Sequence, residues 1–169
     1  MSEISVTEAK RALRALVRAR RIETFSCGDA HSLALIELIS QMGLRTVAAY
    51  VEFDNEPDLS LLRAWCGENG VSVLLPEMQP DFTLTWSNGT LLAEAQLIVV
   101  PALAAGRDGS RLGRGKGYYD RALNGLTAPR IVAVHDEELF DSVPCEEHDL
   151  KMDAIVSCSG ILRLSDRLK

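Results

Sequence analysis

The chain alternates between segments with a helical apolar period and short runs with a strand-like one. Residues 5–20 carry Val6, Ala9, Leu13, Leu16 and Val17 at helical spacing, and Ser5 with Glu8 has the spacing of a capping box. A second helix is predicted from Ala30 to Met42, stopped by Gly43. Thr46–Phe53 reads as a strand. Pro57 suits the first turn of a helix that runs to Asn69-Gly70. Val71–Leu75 reads as a short buried strand ended by Pro76. Phe82–Trp86 and Thr90–Leu92 flank Ser87-Asn88-Gly89 and predict a hairpin around an Asn-Gly turn. Leu97–Val100 is apolar without alternation, as in a strand covered on both faces. A helix from Gly117 to Asn124, strands at Ile131–Val134, Ala154–Val156 and Ile161–Leu164, and a short helix at Asp136–Asp141 complete the pattern.

Strands alternating with helices predict an α/β fold, a three-layer α/β/α sandwich around a mostly parallel sheet. The 169 residues suit one domain, 1–169, with a sizeable core. No internal repeat, low-complexity tract or linker interrupts them. No apolar run approaches a membrane span, and the N-terminal residues lack the apolar stretch of a secretory signal, so the expected location is the cytoplasm.

Charge changes this picture in one respect. The net charge of −6 argues against a nonspecific nucleic-acid binder, yet the cations are clustered. Of the 18 Lys and Arg residues, six fall in Lys10–Arg21 and five in Arg107–Arg121, which suggests a discrete polyanionic ligand. Lys10, Arg14 and Arg18 follow at i, i+4 and i+8 along the helix side that also carries Arg21. That row is self-repelling unless an anion lies across it. Cys27, Cys66, Cys145 and Cys158 have neither CxxC nor zinc-finger spacing, so four reduced, mostly buried thiols are expected. His31, His135 and His148 form no nucleophile–base pattern.

The most specific stretch is Gly109-Ser110-Arg111-Leu112-Gly113-Arg114-Gly115-Lys116-Gly117-Tyr118-Tyr119-Asp120-Arg121. Alternating glycines allow close backbone approach, and a strand–loop–helix context suits phosphate at a helix start. The loop is neither a Walker A motif nor a dinucleotide fingerprint, because Gly follows Lys116 and Tyr occupies position 118.

This run resembles the 5-formyltetrahydrofolate cyclo-ligases, also called methenyltetrahydrofolate synthetases. Lys10-Arg11-Ala12-Leu13-Arg14, Glu56, Val73-Leu74-Leu75-Pro76, Val99-Val100-Pro101 and Glu147-His148-Asp149 with Met152-Asp153 are similar to further blocks of that family, in the same order. The resemblance implies an ATP- and Mg2+-dependent ligase that closes 5-formyltetrahydrofolate to 5,10-methenyltetrahydrofolate and releases ADP and phosphate. It implies ATP contacts from Lys10, Arg14, Arg111, Leu112, Gly113, Arg114, Gly115, Lys116, Gly117, Tyr118 and Tyr119. Among these, Arg111, Lys116, Tyr118 and Tyr119 would take part in catalysis. Val51, Glu56 and Tyr118 would meet the folate, and Asp120 and Asp153 would hold Mg2+. Small-molecule partners and a monomer are implied, with no nucleic acid or membrane.

Read without the resemblance, Asp120 is a charge at a helix start and Asp153 a cap at the start of a strand. One of Tyr118 and Tyr119 packs inward, and the sequence does not distinguish them. Two departures stand out. Ala105-Gly106 replaces an aromatic–acidic pair of the family, and the segment before Leu97 is short, with Trp86 either as a pterin wall or as core. Alternatives are a same-fold ATP-dependent enzyme acting on another formyl or amide substrate, and a non-catalytic folate- or nucleotide-binding protein.

Overall fold

A computed structural model describes residues 5–21 and 27–168. The N-terminal residues 1–4, on which the leader reading rests in part, lie outside that range. In chain order the elements are α1 (Val6–Arg20), α2 (Ala30–Met42), β1 (Thr46–Ala48), α3 (Ser60–Glu68), β2 (Ser72–Leu74), β3 (Pro76–Met78), β4 (Leu84–Trp86), β5 (Leu97–Pro101), β6 (Ala104–Gly106), β7 (Arg111–Leu112), α4 (Tyr118–Ala122), β8 (Arg130–Ala133), β9 (Leu139–Phe140), β10 (Ala154–Ser157) and β11 (Gly160–Arg163). Six strands form the central sheet in the order β11-β10-β8-β5-β1-β2. All its pairings are parallel except the terminal β10–β11 hairpin.

Alternation along the strands sorts the core into two faces. Val47, Leu97, Val99, Ile131 and Val156 meet Leu35, Leu38 and Ile39 of α2 and Leu62 and Cys66 of α3. Ala48, Ile98, Val100, Val132 and Ile155 point the other way, against Trp86, Leu92 and Leu123. Both faces of β5 are therefore covered, which is why its sequence does not alternate. The result is the expected α/β/α layering. Among the described residues no helix is long and apolar enough to cross a membrane.

Several local expectations change. The hairpin joins β3 to β4 through residues 79–83, where Asp81 accepts from Thr83 N and Oγ1. Asn88 and Gly89 do adopt the left-handed conformation, but in a single 3-10 turn, and Thr90–Leu92 makes no strand. The third helix begins at Ser60 rather than Pro57, because Tyr50–Pro57 is irregular and Tyr50 Oη donates to Pro57 O at 2.9 Å. A small second sheet, β7-β6-β9, was not visible in the pattern, its strands being only two or three residues long. It uses the departing Ala105-Gly106 segment as buried strand. A Cβ at 106 would lie 2.8 Å from the Ser142 backbone, so only glycine fits there. Cys27 and Cys158 form a disulfide, contrary to the expectation of four free thiols; Cys66 and Cys145 are free.

The first helix docks unconventionally. Its capping box is formed, with Ser5 N donating to Glu8 Oε2 and Glu8 N donating to Ser5 Oγ. Of the predicted apolar stripe, Val17 is buried, whereas Val6 and Leu16 are exposed. The inward side is the row Lys10, Arg14, Val17, Arg21. Arg21, read from the sequence as part of the cationic side of the helix, is 1% exposed. Its Nε and one amino group donate to the two Glu138 oxygens at 2.5 and 2.9 Å, and that amino group also donates to Ala102 O at 2.7 Å. Burial alone would lower the Arg21 pKa, and the Glu138 charge more than offsets it.

Removing one partner of a buried, hydrogen-bonded pair leaves the other charge uncompensated. Glu138→Leu is expected to cost about 3–5 kcal/mol of unfolding free energy, read as a lower urea midpoint. Arg21→Met with Glu138→Leu should recover part of that loss. An unchanged midpoint for the single variant would show that the pair is not a tie.

Candidate active site

The sense of winding reverses between β1 and β5. From β1 the chain crosses through α3 to β2, and from β5 it proceeds the other way through β8 to β10. Segments leaving the carboxyl ends of two such strands diverge and frame a crevice. Here they are residues 49–57 after β1 and residues 102–117 after β5, and the predicted site residues lie mostly on these two segments.

The glycine loop is built around arginines. Arg111 is buried; one amino group donates to Pro101 O at 3.1 Å and the other to Asp120 Oδ1 at 2.6 Å. A Cβ at Gly113 would stand 3.1 Å from the Arg111 guanidinium, and one at Gly115 3.2 Å from that of Arg14. At Gly117 it would stand 2.9 Å from that of Arg121. Each glycine thus makes room for one guanidinium lying on the loop backbone. Gly115 and Gly117 also hold φ of +97° and +69°, where other residues are strained. Leu112 is core, and Lys116 is exposed at the loop tip.

The N-terminal helix lies across this loop. Arg14 Nε donates to Gly113 O at 2.9 Å and Arg18 donates to Arg114 O at 3.3 Å. Lys10 pairs with Glu146 at 2.7 Å and Asp149 at 2.6 Å. Burial would lower the Lys10 pKa, but the two carboxylates outweigh it and hold it above the usual lysine value. Burial and Arg18 lower the Arg14 pKa, and the charges of Asp149 and Asp120 offset them only in part.

The two predicted metal carboxylates are not brought together. Asp153 lies at the amino end of the sheet: its Oδ2 accepts from Arg130 N at 2.9 Å, and Arg130 is paired with Ile98 at the start of β5. Asp120 is tied through Arg111 to Pro101, at the other end of β5. Ser165 and Arg167 complete the Asp153 carboxylate, so it acts as the strand cap. Asp149, four residues earlier in the same sequence block, instead reaches the helix cation Lys10, at 2.6 Å. Glu146, Asp149 and His148 offer ligand atoms within 4.8 Å of one another.

Glu56 is buried at the far rim. Its Oε2 accepts from Phe53 N at 3.0 Å, and its Oε1 takes Arg114 Nε at 3.1 Å and an Arg114 amino group at 3.0 Å. Burial raises the Glu56 pKa, opposed by Arg114. Arg114 also pairs with Asp54 at 2.9 Å and stacks 5.0 Å over the Phe53 ring. Val51 and Phe53 are 57% and 71% exposed beside it. A cleft of about 460 Å³ adjoins this rim, lined by Phe53, Glu56, Asp58, His135, His31 and Cys27 among others.

Of the two tyrosines, Tyr119 packs inward. Its ring stands edge-on to Trp86, 6.4 Å between centroids, so Trp86 backs Tyr119 as core and is no pterin wall. The Tyr119 hydroxyl is buried without a hydrogen-bond partner among the described residues, and burial, with the Glu56 charge, raises its pKa. Tyr118 lies outside, tilted against Phe82 at 6.2 Å and beneath Arg121.

Known proteins resemble this chain in sequence and in fold. The sequence profile described as the 5-formyltetrahydrofolate cyclo-ligase family matches residues 83–158. The 5-formyltetrahydrofolate cyclo-ligase of Mycolicibacterium smegmatis is 36% identical over 85% of this chain and 90% of its own length. That of Escherichia coli is 27% identical over 69% and 79%. In fold, the chain is similar to the 5,10-methenyltetrahydrofolate synthetases of Aquifex aeolicus (TM-score 0.74, 23% identity, 93% of each chain) and Mycoplasma pneumoniae (TM-score 0.73, 23% identity, 86% of this chain and 96% of that one). The glycine loop, the helix laid across it and the extent of the Mycolicibacterium match lead to one conclusion: this chain belongs to the 5-formyltetrahydrofolate cyclo-ligase family.

Proposed function

We propose that the protein closes 5-formyltetrahydrofolate to 5,10-methenyltetrahydrofolate at the expense of ATP, acting as a single-domain monomer. The observation that carries this reading is the convergence of Lys10, Arg14, Asp149 and the glycine loop beside the buried carboxylate of Glu56. A phosphate-sized anion among the cations and a flat heterocycle on Glu56 would then sit on adjacent strands' loops.

The chemistry explains the layout. A formyl oxygen is a poor leaving group. Transfer of the γ-phosphoryl group to it makes an imidate-like phosphate, and attack by N10 on the formyl carbon then expels phosphate. Little covalent work falls to the protein; positioning and charge stabilisation dominate. Lys10, Arg14 and Lys116 are the cations proposed to meet the phosphates, and Arg111 holds Asp120 and the loop in shape for them. Backbone N–H groups of the loop supply further donors.

Glu56 is proposed to accept two N–H bonds from the pterin edge. The Arg114 guanidinium now on Glu56 is itself planar and gives two N–H donors to one oxygen, so the carboxylate already displays that acceptor geometry. Substrate would take its place, leaving Arg114 free to turn to phosphate. Val51 and Phe53 offer apolar surface to the ring system. The Tyr119 hydroxyl, buried without a hydrogen-bond partner among the described residues, is the group proposed to donate to a substrate oxygen.

Mg2+ would neutralise charge between the β- and γ-phosphates when bound. Hard oxygen donors suit it, and Asp120 with Asp149 are the residues proposed to hold it, in place of the Asp120–Asp153 pair. Asp149 would then give up its pairing with Lys10 to the metal.

The direct test mixes protein, MgATP and 5-formyltetrahydrofolate and follows the ultraviolet absorbance of the methenyl product; normal ATP binding without product would refute the assignment. Asp149→Asn should raise the Mg2+ concentration needed for half-maximal turnover, and Asp153→Asn should instead lower thermal stability with the metal requirement unmoved. The opposite pattern would restore Asp153 as the ligand. Glu56→Gln should raise KM for the folate by about 10- to 100-fold, the worth of a charged hydrogen bond, with KM for ATP little changed. An equal rise in both would separate Glu56 from folate binding.

A further inference from the structure

Cys27, His31 and Cys158 meet at a place the ligase reading leaves unused. Cys27 stands just before α2, His31 lies in its first turn, and Cys158 lies in the β10–β11 turn, 131 residues from Cys27. The two sulfurs are bonded to each other, and His31 Nδ1 lies 3.5 Å from Cys27 Sγ. The ligand atoms of all three lie within 4.8 Å of one another.

The orientation of His31 is the telling detail. Its ring is buried, and Nε2 lies 2.8 Å from Val134 O. A carbonyl only accepts, so Nε2 carries the proton and Nδ1 turns its lone pair toward the sulfurs. An imidazole fixed through one N–H to a backbone carbonyl, with its other nitrogen facing thiols, is the arrangement of a metal-ligating histidine. Asp136 accepts from Ser159 N at 3.2 Å and Ser159 Oγ at 2.7 Å, which orders the turn carrying Cys158.

We propose that the reduced form of this cluster is a Zn2+ site, with Cys27 Sγ, Cys158 Sγ and His31 Nδ1 as ligands and water as the fourth. A dithiol reductant gives two electrons to the Cys27–Cys158 bond; that bond breaks, two thiols form, and the reductant leaves as its own disulfide. Zn2+ then binds both sulfurs as their two protons pass to solvent. Tetrahedral Zn–S and Zn–N bonds of about 2.3 and 2.0 Å set sulfur and nitrogen about 3.5 Å apart. The Cys27–His31 contact already has that spacing, and the two sulfurs part on reduction. Two thiolates and an imidazole select a soft ion and exclude Mg2+. Glu52, Asp54, Glu56 and Asp58 on the adjoining cleft favour a cation there. The site is separate from the loop cations and does not depend on the proposed reaction.

Co2+ is the optical probe. The reduced protein, freed of reductant under anaerobic conditions, should take up one equivalent and develop thiolate-to-cobalt charge transfer with the visible bands of a tetrahedral ion. One equivalent of Zn2+ should bleach both. Cys158→Ser and His31→Gln should each weaken Co2+ affinity at least tenfold, with Cys66 and Cys145 left in place. Oxidised wild type, identical in sequence, should show no charge transfer, and this control requires no substitution. A reduced wild type that shows no such band overturns the proposal. So does an unchanged Co2+ affinity in Cys158→Ser, or a charge-transfer band in the oxidised protein.

Discussion

The buried pair of Arg21 and Glu138 is the tie on which the active-site crevice depends. Arg21 ends α1. Its guanidinium holds Glu138 on one side and Ala102 O, just beyond β5, on the other, while its own carbonyl accepts from Asn55 Nδ2 at 2.7 Å. Glu138 in turn accepts from His135 N at 3.1 Å, beyond β8. One ion pair therefore binds α1, the Glu56 rim and the exits of two central strands. Such a pair contributes geometry more than stability, since desolvation consumes much of its attraction. In this fold geometry is what is needed, because α1 buries only Val17 fully among its own residues.

The site carries its own counter-charges. Lys10 lies on Asp149, Arg111 on Asp120 and Arg114 on Glu56, and Arg14 lies on the Gly113 carbonyl. A cationic loop without ligands would otherwise repel itself, and the like-charged row of α1 would add to the strain. The alternating glycines belong to the same solution. They let guanidinium groups lie flat on the backbone, which draws positive charge inward without burying a chain of bulky side chains between the cations.

Much of this was legible in the sequence where the determining partners are near in the chain. The Ser5–Glu8 box, the Gly43 stop and the unalternating run of β5 are local signals, and each produced the element it predicts. The glycine loop was legible as a motif, though not the reason for its glycines, which lies in arginines from three different segments. The Asn88-Gly89 pair suggested a hairpin turn because its backbone preference is real; the strand that β4 pairs with lies upstream instead. Asp153 and Asp149 are equivalent by residue type and differ only in which end of the sheet they reach. Arg21 and the Cys27–Cys158 pair escaped for a related reason. Nothing in a helical wheel marks one arginine as buried, and no spacing rule covers cysteines 131 residues apart.

The placement of α1 also has a consequence for how the molecule comes into being. Its partners Glu146 and Asp149 stand 136 and 139 residues farther along the chain. Synthesis from the N-terminus releases the cationic helix long before the acids that neutralise Lys10. Closing so long a loop adds little free energy, about 0.6 kcal/mol per doubling of length, but it cannot happen until the far end exists. A helix of 15 residues is marginal alone. The α1 side of the crevice is thus completed only after β1, β2, β5 and β8 have been made and residues 146–149 have followed them.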